Sequence, residues 1–258
     1  MSLKSLIIIF FCFATRSIHA EELVAELSKD EVAITTNFNG SDIFIYGAVK
    51  RDSAIKPADK SDGPLEIVIT VSGPLEKLQV RKKAKKTVIW MNSKTLEVDA
   101  APSFYAVAAT GNVADIISET EDLRHRISIK KAIRSVGNSG TVQDVDQFID
   151  ALIRIRQEQN LYHDLSNSVS LKDETLFATD VTLPANLVEG QYQIRIFLIR
   201  GRSIIDYFST EVSINKVGIE RFIYDLAHKS PLIYGLLSIF IAISAGWGAS
   251  AAFRYVRL

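Results

Sequence analysis

The stretch LPANLVEGQYQIRIFLIRGRSIIDYFSTEVSI, residues 183–214, indicates the fold of this 258-residue chain most clearly. Apolar and polar side chains alternate on both sides of Gly201-Arg202, and this pattern predicts two long antiparallel strands joined by a tight turn. The first strand places four large side chains on one face: Tyr192, Ile194, Ile196 and Leu198. Alternation of this kind is typical of a sheet packed on a core, so it predicts a mainly β domain.

Tyr192 is a candidate structural corner of that domain. It follows Gly190 by two residues, near the start of a late strand. In an immunoglobulin-like sandwich a tyrosine at such a place donates a hydrogen bond to upstream backbone. A tyrosine on an edge strand without this bond is the alternative interpretation.

The remainder of residues 21–216 contains further alternating runs, which predict up to about ten short strands in total. The run 32–38 ends at Asn39-Gly40, a turn dipeptide that predicts a hairpin with the run 41–49. After Gly111 the apolar spacing becomes helical, and Thr141–Asp144 resembles a capping box. These patterns predict an antiparallel immunoglobulin-like sandwich with an inserted helical segment at about residues 112–162.

Residues 1–20 have the layout of a secretory signal peptide. Lys4 provides the positive charge, Leu6–Ala14 is an apolar run too short to span a bilayer, and cleavage is expected after Ala20. A buried N-terminal strand or helix is the alternative. Cys12 is the only cysteine and lies in this segment, so the processed protein is expected to lack disulfides and thiolate metal sites.

The segment 231–253 is the strongest indication of a membrane protein, because it contains 23 residues without a charge. As a helix it would extend for about 35 Å, enough to cross a hydrocarbon core about 30 Å thick. Residues 217–230 before it have an amphipathic helical pattern. Ser244, Gly248 and Ala252 follow one another at four-residue steps, which makes them a candidate helix-packing face; ordinary small-residue content is the alternative.

The two terminal segments together predict a single-pass protein of the bacterial inner membrane. A cleaved signal peptide would place residues 21–216 in the periplasm, and the last helix would leave residues 254–258 as a cytoplasmic tail. Between residues 21 and 230 the chain has 26 basic and 30 acidic residues, a net charge of −4. A mildly acidic body argues against nucleic acid as a partner and leaves the lipid bilayer as the partner that the sequence predicts directly.

Five stretches of the chain resemble, in the same order, an uncharacterised family of alphaproteobacterial transmembrane proteins. They are EVAITTNFNGSDIFIYGAV (31–49), VIWMN (88–92), PSFYAVAAT (102–110), LPANLVEGQYQIRIFLIR (183–200) and VGIERFIYDLAHKSPLIYG (217–235). The resemblance covers nearly the whole processed chain and implies a membrane-anchored protein, but it carries over no catalytic residue. It also implies, by association alone, an integral membrane permease of the sulfite-exporter-like TauE/SafE type as a partner.

The sequence predicts no catalytic, cofactor-binding or metal-binding residue. His125, His163 and His228 are far apart and lack the spacing of metal ligands on a helix, so surface or capping roles are expected. The carboxylates at 119–122 are interpreted as a solvated helix end rather than as an acid–base pair. The loop 137–140 lacks the pattern of a nucleophile elbow.

The basic run RKKAKK (81–86) is a candidate patch for an anion or an acidic partner. Its five cations are Arg81, Lys82, Lys83, Lys85 and Lys86. Apolar runs on either side predict strands at 78–80 and 87–90, so a solvated hairpin turn is the preferred interpretation.

These observations favour a non-enzymatic accessory or interaction protein as the first functional hypothesis. The alternative is a membrane-tethered module for ligand binding or envelope maintenance, with a pocket between the sandwich and the helical segment. Trp90, Phe104 and Tyr105 are candidates to line this pocket, and packing in the core explains them equally well. A periplasmic hydrolase that uses carboxylates assembled by the fold is the third hypothesis. The sequence predicts neither a ligand nor an oligomeric state.

Overall fold

A computed structural model describes residues 21–35, 38–50, 63–86, 88–135, 145–216 and 218–256. The predicted signal peptide (1–20) and capping box (141–144) lie outside these described residues. So do the loop 137–140 and the last two residues of the predicted cytoplasmic tail.

The described residues are mainly β, with one group of helices between two groups of strands. The first group is β1 (Glu22–Leu27), β2 (Glu31–Ile34), β3 (Ser41–Lys50), β4 (Leu65–Ser72), β5 (Leu75–Lys86), β6 (Ile89–Pro102) and β7 (Tyr105–Ala109). The helical segment is α1 (Val113–Ile116), α2 (Glu119–His125), α3 (Ile129–Ala132) and α4 (Val145–Glu158). The remaining elements are β8 (Tyr162–Leu165), β9 (Ser170–Lys172), β10 (Leu176–Leu183), β11 (Gly190–Arg200), β12 (Ser203–Lys216), α5 (Ile219–Lys229) and α6 (Pro231–Val256). This arrangement confirms the prediction of a mainly β fold with an apolar C-terminal helix.

Most of the described strands belong to two sheets. One sheet has the strand order β1-β3-β10-β9 and is antiparallel throughout. The other has the order β2-β12-β11-β4-β7-β8 and is antiparallel at its centre, with the parallel pairs β2–β12 and β7–β8 at its two edges. Strands β5 and β6 pair with each other as a separate hairpin.

The strand pair β11–β12 forms as the sequence predicts. Gly190–Arg200 pairs with residues 203–214 in antiparallel register, with one irregularity between Leu198 and Ile199. Gly201 and Arg202 have φ values of 58° and 67°. Such left-handed conformations suit a two-residue turn, because its twist then matches the twist of the flanking strands.

The centre of the six-stranded sheet, strands β4 and β7 and the second half of β11, is buried on both faces, which makes the body three layers thick there. Side chains alternate along β11, so Ile194 and Ile196 lie on one face and Arg195 and Phe197 on the other. The second face lies against the helical segment, where the Arg195 guanidinium donates to the His125 carbonyl at 2.7 Å. The first face joins the core that the four-stranded sheet also lines. Burial on both sides accounts for the uninterrupted apolar run 196–199 in the second half of β11.

The helical segment is held to the sheet by caps and by buried side chains. The Asn112 side chain accepts the Ala114 N–H at 3.2 Å and so begins α1. The Ser118 hydroxyl begins α2 in the same way. Phe148 and Leu152 of α4 are buried in the core. These contacts pack the predicted helical segment against the core.

The predicted hairpin at Asn39-Gly40 is wrong. Strand β2 pairs in parallel with β12, whereas β3 pairs with β1 in the other sheet. The chain therefore changes sheets between the two strands. Gly40 has a φ of 115°, and a Cβ at this position would lie 2.7 Å from the Leu183 carbonyl oxygen. The glycine is thus needed for the sheet crossing, because a side chain would meet backbone there.

After β12 the chain continues into two consecutive helices. Helix α5 covers most of the predicted juxtamembrane segment, and α6 contains the whole of the predicted membrane segment. Pro231 is the first residue of α6. Proline has no backbone N–H, so it cannot continue the preceding helix, but it suits the first position of a helix, where the N–H would have no partner within the helix. The 23-residue segment Pro231–Phe253 is long and apolar enough to cross a membrane, and its most apolar part is not buried in the protein.

Candidate functional site

Strands β5 and β6 form a long hairpin with two parts that differ in burial. Residues 75–80 and 96–102 form the hairpin root, and residues 81–95 form the hairpin arm. Both parts belong to one antiparallel ladder, which begins with Leu75 opposite Pro102 and ends with Lys86 opposite Ile89. At about 3.4 Å per residue, the arm extends roughly 20 Å beyond the root.

The hairpin root is part of the folded body. Leu96 and Val98 are 0% and 1% exposed and belong to the hydrophobic core. The backbone of Ala100 exchanges two hydrogen bonds with Arg134, at 2.7 and 3.1 Å. These contacts hold the root against the body. The arm continues the same two strands beyond these contacts.

Four consecutive apolar side chains at the far end of the arm are exposed. Val88 is 79% exposed, Ile89 62%, Trp90 68% and Met91 47%. Isolated exposed apolar residues are ordinary, but a contiguous group is typical of a surface that contacts a partner or a membrane. We call these four residues the apolar end of the arm.

The remainder of the arm is strongly basic. Residues 81–95 contain six cations and no carboxylate, whereas the rest of residues 21–230 contains 20 basic and 30 acidic residues. The structure adds Lys94 to the predicted patch, because it lies directly opposite Lys82. Like charges in opposed positions disfavour strand pairing. The arm therefore carries charge that does not serve the pairing of its own strands.

The basic run lies in a strand, so the preferred interpretation of this run as a hairpin turn is wrong. The cations Arg81, Lys82, Lys83, Lys85 and Lys86 lie within β5, and the turn follows them. The ladder shifts register between Lys82 and Lys83, where the Ser93 hydroxyl donates to the Lys82 carbonyl at 3.0 Å. Such a bulge interrupts the alternation by which a strand is recognised in sequence. The Lys86 side chain and Thr87 lie outside the described residues.

The six-stranded sheet has one end at which β12 finishes and the chain continues to α5 and α6. The hairpin root lies at this same end. Strands β4 and β12 run in the same direction, because both are antiparallel to β11. Ile214, near the end of β12, is opposite Gly190. A Cβ at Gly190 would lie 2.5 Å from the Pro74 side chain, immediately before β5. The start of the hairpin and the exit to α6 are thus close together.

The candidate helix-packing face lies on α6 with the predicted spacing. Ser244, Gly248 and Ala252 are all exposed. A Cβ at Gly248 would have nothing within 4 Å among the described residues, and the same holds for Gly246 on the opposite side of the helix. Small residues on an open helix surface permit close approach of another helix. The role of this face stays a prediction.

Tyr192 makes the contact that the corner interpretation requires. Its side chain is 0% exposed, and its hydroxyl donates to the Val188 carbonyl at 2.8 Å. Burial raises the pKa of the phenol to about 12. The bond joins the start of β11 to the segment before it. A Cβ at Gly73 would lie 3.0 Å from the Tyr192 ring, so the tyrosine also packs beneath the start of the hairpin.

The three aromatic residues expected to line a pocket do not lie together. Trp90 is at the apolar end of the arm, whereas Phe104 and Tyr105 are buried in the core. The Tyr105 hydroxyl donates to the Ile127 carbonyl at 2.8 Å, and burial raises its pKa to about 12. Tyr105 therefore ties the sheet to the helical segment. Phe104 and Tyr105 follow the core-packing interpretation, and the three aromatic residues do not line one common pocket.

The carboxylates at 119–122 organise the chain around α2. Asp122 accepts hydrogen bonds from the Ile127 and Ser128 N–H groups, at 3.1 and 2.7 Å. Glu121 pairs with Arg124 at 2.7 Å. The Asp122 bonds hold the turn after the helix, whereas Glu119 is exposed, as the interpretation of a solvated helix end expects.

The three histidines lie in separate places. His125 packs on the Phe197 ring, with 5.6 Å between ring centroids. A His163 ring nitrogen lies 2.9 Å from the Asn160 carbonyl oxygen, and His228 contacts a tyrosine of its own helix. Among the described residues, no three or more His, Cys, Asp or Glu side chains are grouped so that they could hold a metal ion.

Among the described residues, a β-rich body is followed by one exposed helix that is long and apolar enough to cross a membrane, as in a transmembrane protein. The family model described as "Putative transmembrane protein (Alph_Pro_TM)" matches residues 22–255, and the chain belongs to this family. The match includes both the body and the apolar helix, so it supports contact with the lipid bilayer. It confirms the resemblance found in the sequence. No curated protein matches the chain.

Proposed function

We propose that this chain is a non-enzymatic accessory protein of the bacterial inner membrane. Residues 21–216 would lie in the periplasm, α6 would cross the bilayer, and residues 254–258 would lie in the cytoplasm. Anchoring confines the body to a plane and raises its effective concentration for a partner in the same membrane. The partner that we test first is an integral membrane permease of the sulfite-exporter-like type.

The exposed apolar segment Pro231–Phe253 is the observation that carries this proposal. Burying one large apolar side chain gains about 1.5–3 kcal/mol, so a helix that is apolar all round is stable in lipid rather than in water. Tyr234 and Trp247 lie towards its two ends, where aromatic residues suit the membrane interface.

The strand order supports an interaction role for the body. The order β1-β3-β10-β9 and the neighbouring strands β12-β11-β4 correspond to strands ABED and GFC of an immunoglobulin-like domain. Strand β2 adds to the second sheet beside β12. Many cell-surface interaction domains share this sandwich, which is an argument by analogy of fold.

Photo-crosslinking in native membranes tests the proposal. A crosslinking residue at Ser244 of the full chain should capture an integral membrane protein, which mass spectrometry then identifies. Gly248→Leu should reduce this capture at least about tenfold, because a leucine prevents close helix approach. The matched variant Gly246→Leu makes the same change on the opposite side of α6 and should leave capture intact.

Two results would contradict the proposal. Capture of lipid alone from every position of α6 would remove the lateral partner. A reporter fused after Leu258 that is active only outside the cytoplasm would contradict the orientation of the anchor.

A further inference from the structure

We propose that the hairpin arm is a second membrane-binding site of this protein, in which its cations bind anionic phospholipid headgroups and its apolar end enters the interface. The inference goes beyond anchoring by α6 but rests on it, because the anchor brings the body close to a bilayer surface.

Charge is the first argument for an anionic surface. The arm carries its six cations without a carboxylate, on a body whose other residues between 21 and 230 have a net charge of −10. The ion pairs found among the described residues do not include any arm side chain. An anionic bilayer would therefore attract the arm and repel the rest of the body.

The opposed pair Lys82 and Lys94 strengthens this argument. The two residues face each other across the ladder on one face of the arm. Their repulsion opposes strand pairing unless an anion lies between them or nearby. A layer of phosphate groups would supply such anions along the length of the arm.

The apolar end is the second argument, and it favours lipid over a soluble anion. Binding of a free phosphate or an acidic peptide needs cations, but it gives no reason to expose Val88, Ile89, Trp90 and Met91. Tryptophan is enriched at membrane interfaces, where its ring is apolar and its N–H meets water. Lysine stems can cover apolar surface while their ammonium groups stay at the level of the headgroups. The combination fits an interfacial contact.

The dimensions of the molecule allow the contact. The hairpin root lies near the end of β12, where the chain leaves for α5 and α6. Helix α5 has 11 residues and at about 1.5 Å per residue is roughly 16 Å long. The arm extends roughly 20 Å at the rise of an antiparallel strand. The arm is thus at least as long as α5, so its length suffices for contact with the bilayer if both extend from the same side of the body.

Fluorescence of Trp90 in nanodiscs tests the inference on the full chain. The chain has two tryptophans, so Trp247→Phe leaves Trp90 as the only emitter. In discs that contain phosphatidylglycerol, Trp90 emission should shift to shorter wavelength and be quenched by brominated acyl chains. In discs of phosphatidylcholine alone it should keep the emission of a water-exposed tryptophan. Emission that stays water-like and unquenched with phosphatidylglycerol would overturn the inference, and would instead favour an acidic protein as the occupant.

A charge-matched pair of variants separates the arm from net charge. Combined serine substitutions at Lys82, Lys83, Lys85 and Lys94 should abolish the shift, since each cation near an anionic surface changes binding about fivefold. Combined serine substitutions at Lys29, Lys77, Lys131 and Lys172 change the net charge equally and should preserve it. Loss of the shift in both variants would contradict a site on the arm. About 1 M salt should reverse the shift, because the Debye length falls to about 3 Å.

The reciprocal variant distinguishes failure of this inference from failure of the anchor. Trp90→Phe leaves Trp247 of α6 as the only emitter. If α6 spans the bilayer, brominated chains should quench Trp247 in both kinds of disc. Quenching of Trp247 without quenching of Trp90 would overturn the arm and leave the anchor standing. Absence of quenching from both residues would contradict the anchor as well.

Discussion

The root and the arm of the β5–β6 hairpin are continuous parts of the same two strands, yet their side chains meet opposite environments. At the root, Leu96 and Val98 are buried in the core of the body. In the arm, the apolar residues Ile89 and Trp90 are more than half exposed. Backbone pairing continues through both parts, so pairing alone does not determine where the apolar side chains lie.

The difference shows which part of the hairpin the fold itself requires. The root is stabilised by apolar burial, which is the largest favourable contribution to folding. The arm has cross-strand hydrogen bonds but little burial, and it opposes Lys82 to Lys94. The stability of the body therefore does not account for the arm's sequence, and substitutions in the two parts should have different consequences.

The largest expected effect comes from truncation at the root. Leu96→Ala should lower the free energy of unfolding by about 2–5 kcal/mol, because it leaves a cavity in a close-packed core. Met91→Ala in the arm should change it by less than about 0.5 kcal/mol. Urea unfolding of the full chain in detergent, followed by near-ultraviolet circular dichroism, measures both values. Equal losses would show that the arm is packed as the root is, which would remove the contrast.

A smaller effect is expected at Tyr192, which packs beneath the start of the root. Tyr192→Phe removes the hydrogen bond to Val188 and should cost about 1 kcal/mol. The control Tyr207→Phe alters a tyrosine that is 59% exposed and should cost less than about 0.5 kcal/mol. The same urea measurement applies. A loss below about 0.5 kcal/mol for Tyr192→Phe would contradict a structural corner.

Alkaline pH provides an independent check on the same residue. The pKa of Tyr192 is raised from 10.0 to about 12 by burial. Between these values the unfolded phenol loses its proton while the folded phenol keeps it, so the tyrosine's contribution to stability is present below pH 10 and falls as the pH rises. The stability difference between the native chain and Tyr192→Phe should therefore shrink above pH 10. A difference that grows with pH would contradict burial of a neutral phenol.

Sequence patterns predicted those parts of the fold in which a strand pairs with its neighbour in the sequence. Strands β11 and β12 were recognisable because Gly201-Arg202 joins two alternating runs that pair with each other. The same logic failed at Asn39-Gly40, because a turn dipeptide does not specify which sheet the next strand joins. The parallel pair β2–β12 connects residues far apart in the sequence, and only the complete core selects it.

The candidate site was predicted in part. Five cations of the arm were identified from their density in the sequence, but Lys94 was not, since it becomes their neighbour only through strand register. The apolar end was also missed, because an apolar run next to a charged run is usual for a core strand. An acid-free stretch of 16 residues, 81–96, with an apolar group at its centre was the available signal.

The smallest expected effect concerns the arm alone. One substitution should make the arm more stable and its proposed lipid binding weaker. Lys94→Glu replaces a like-charge pair with Lys82 by an opposite-charge pair, which should stabilise the arm by about 0.2–1 kcal/mol. Arm amides should then exchange hydrogen about 1.4–5 times more slowly. Lys77→Glu makes the same charge change outside the registered pairs of the ladder and should leave arm exchange unchanged. If Lys94→Glu also reduces the shift of Trp90 emission in anionic discs, Lys94 weakens the stability of the arm and strengthens its binding to lipid. Faster exchange in Lys94→Glu would instead mean that the lysines stabilise the hairpin itself. The sequence of the arm, like that of the root, would then be explained by the stability of the fold.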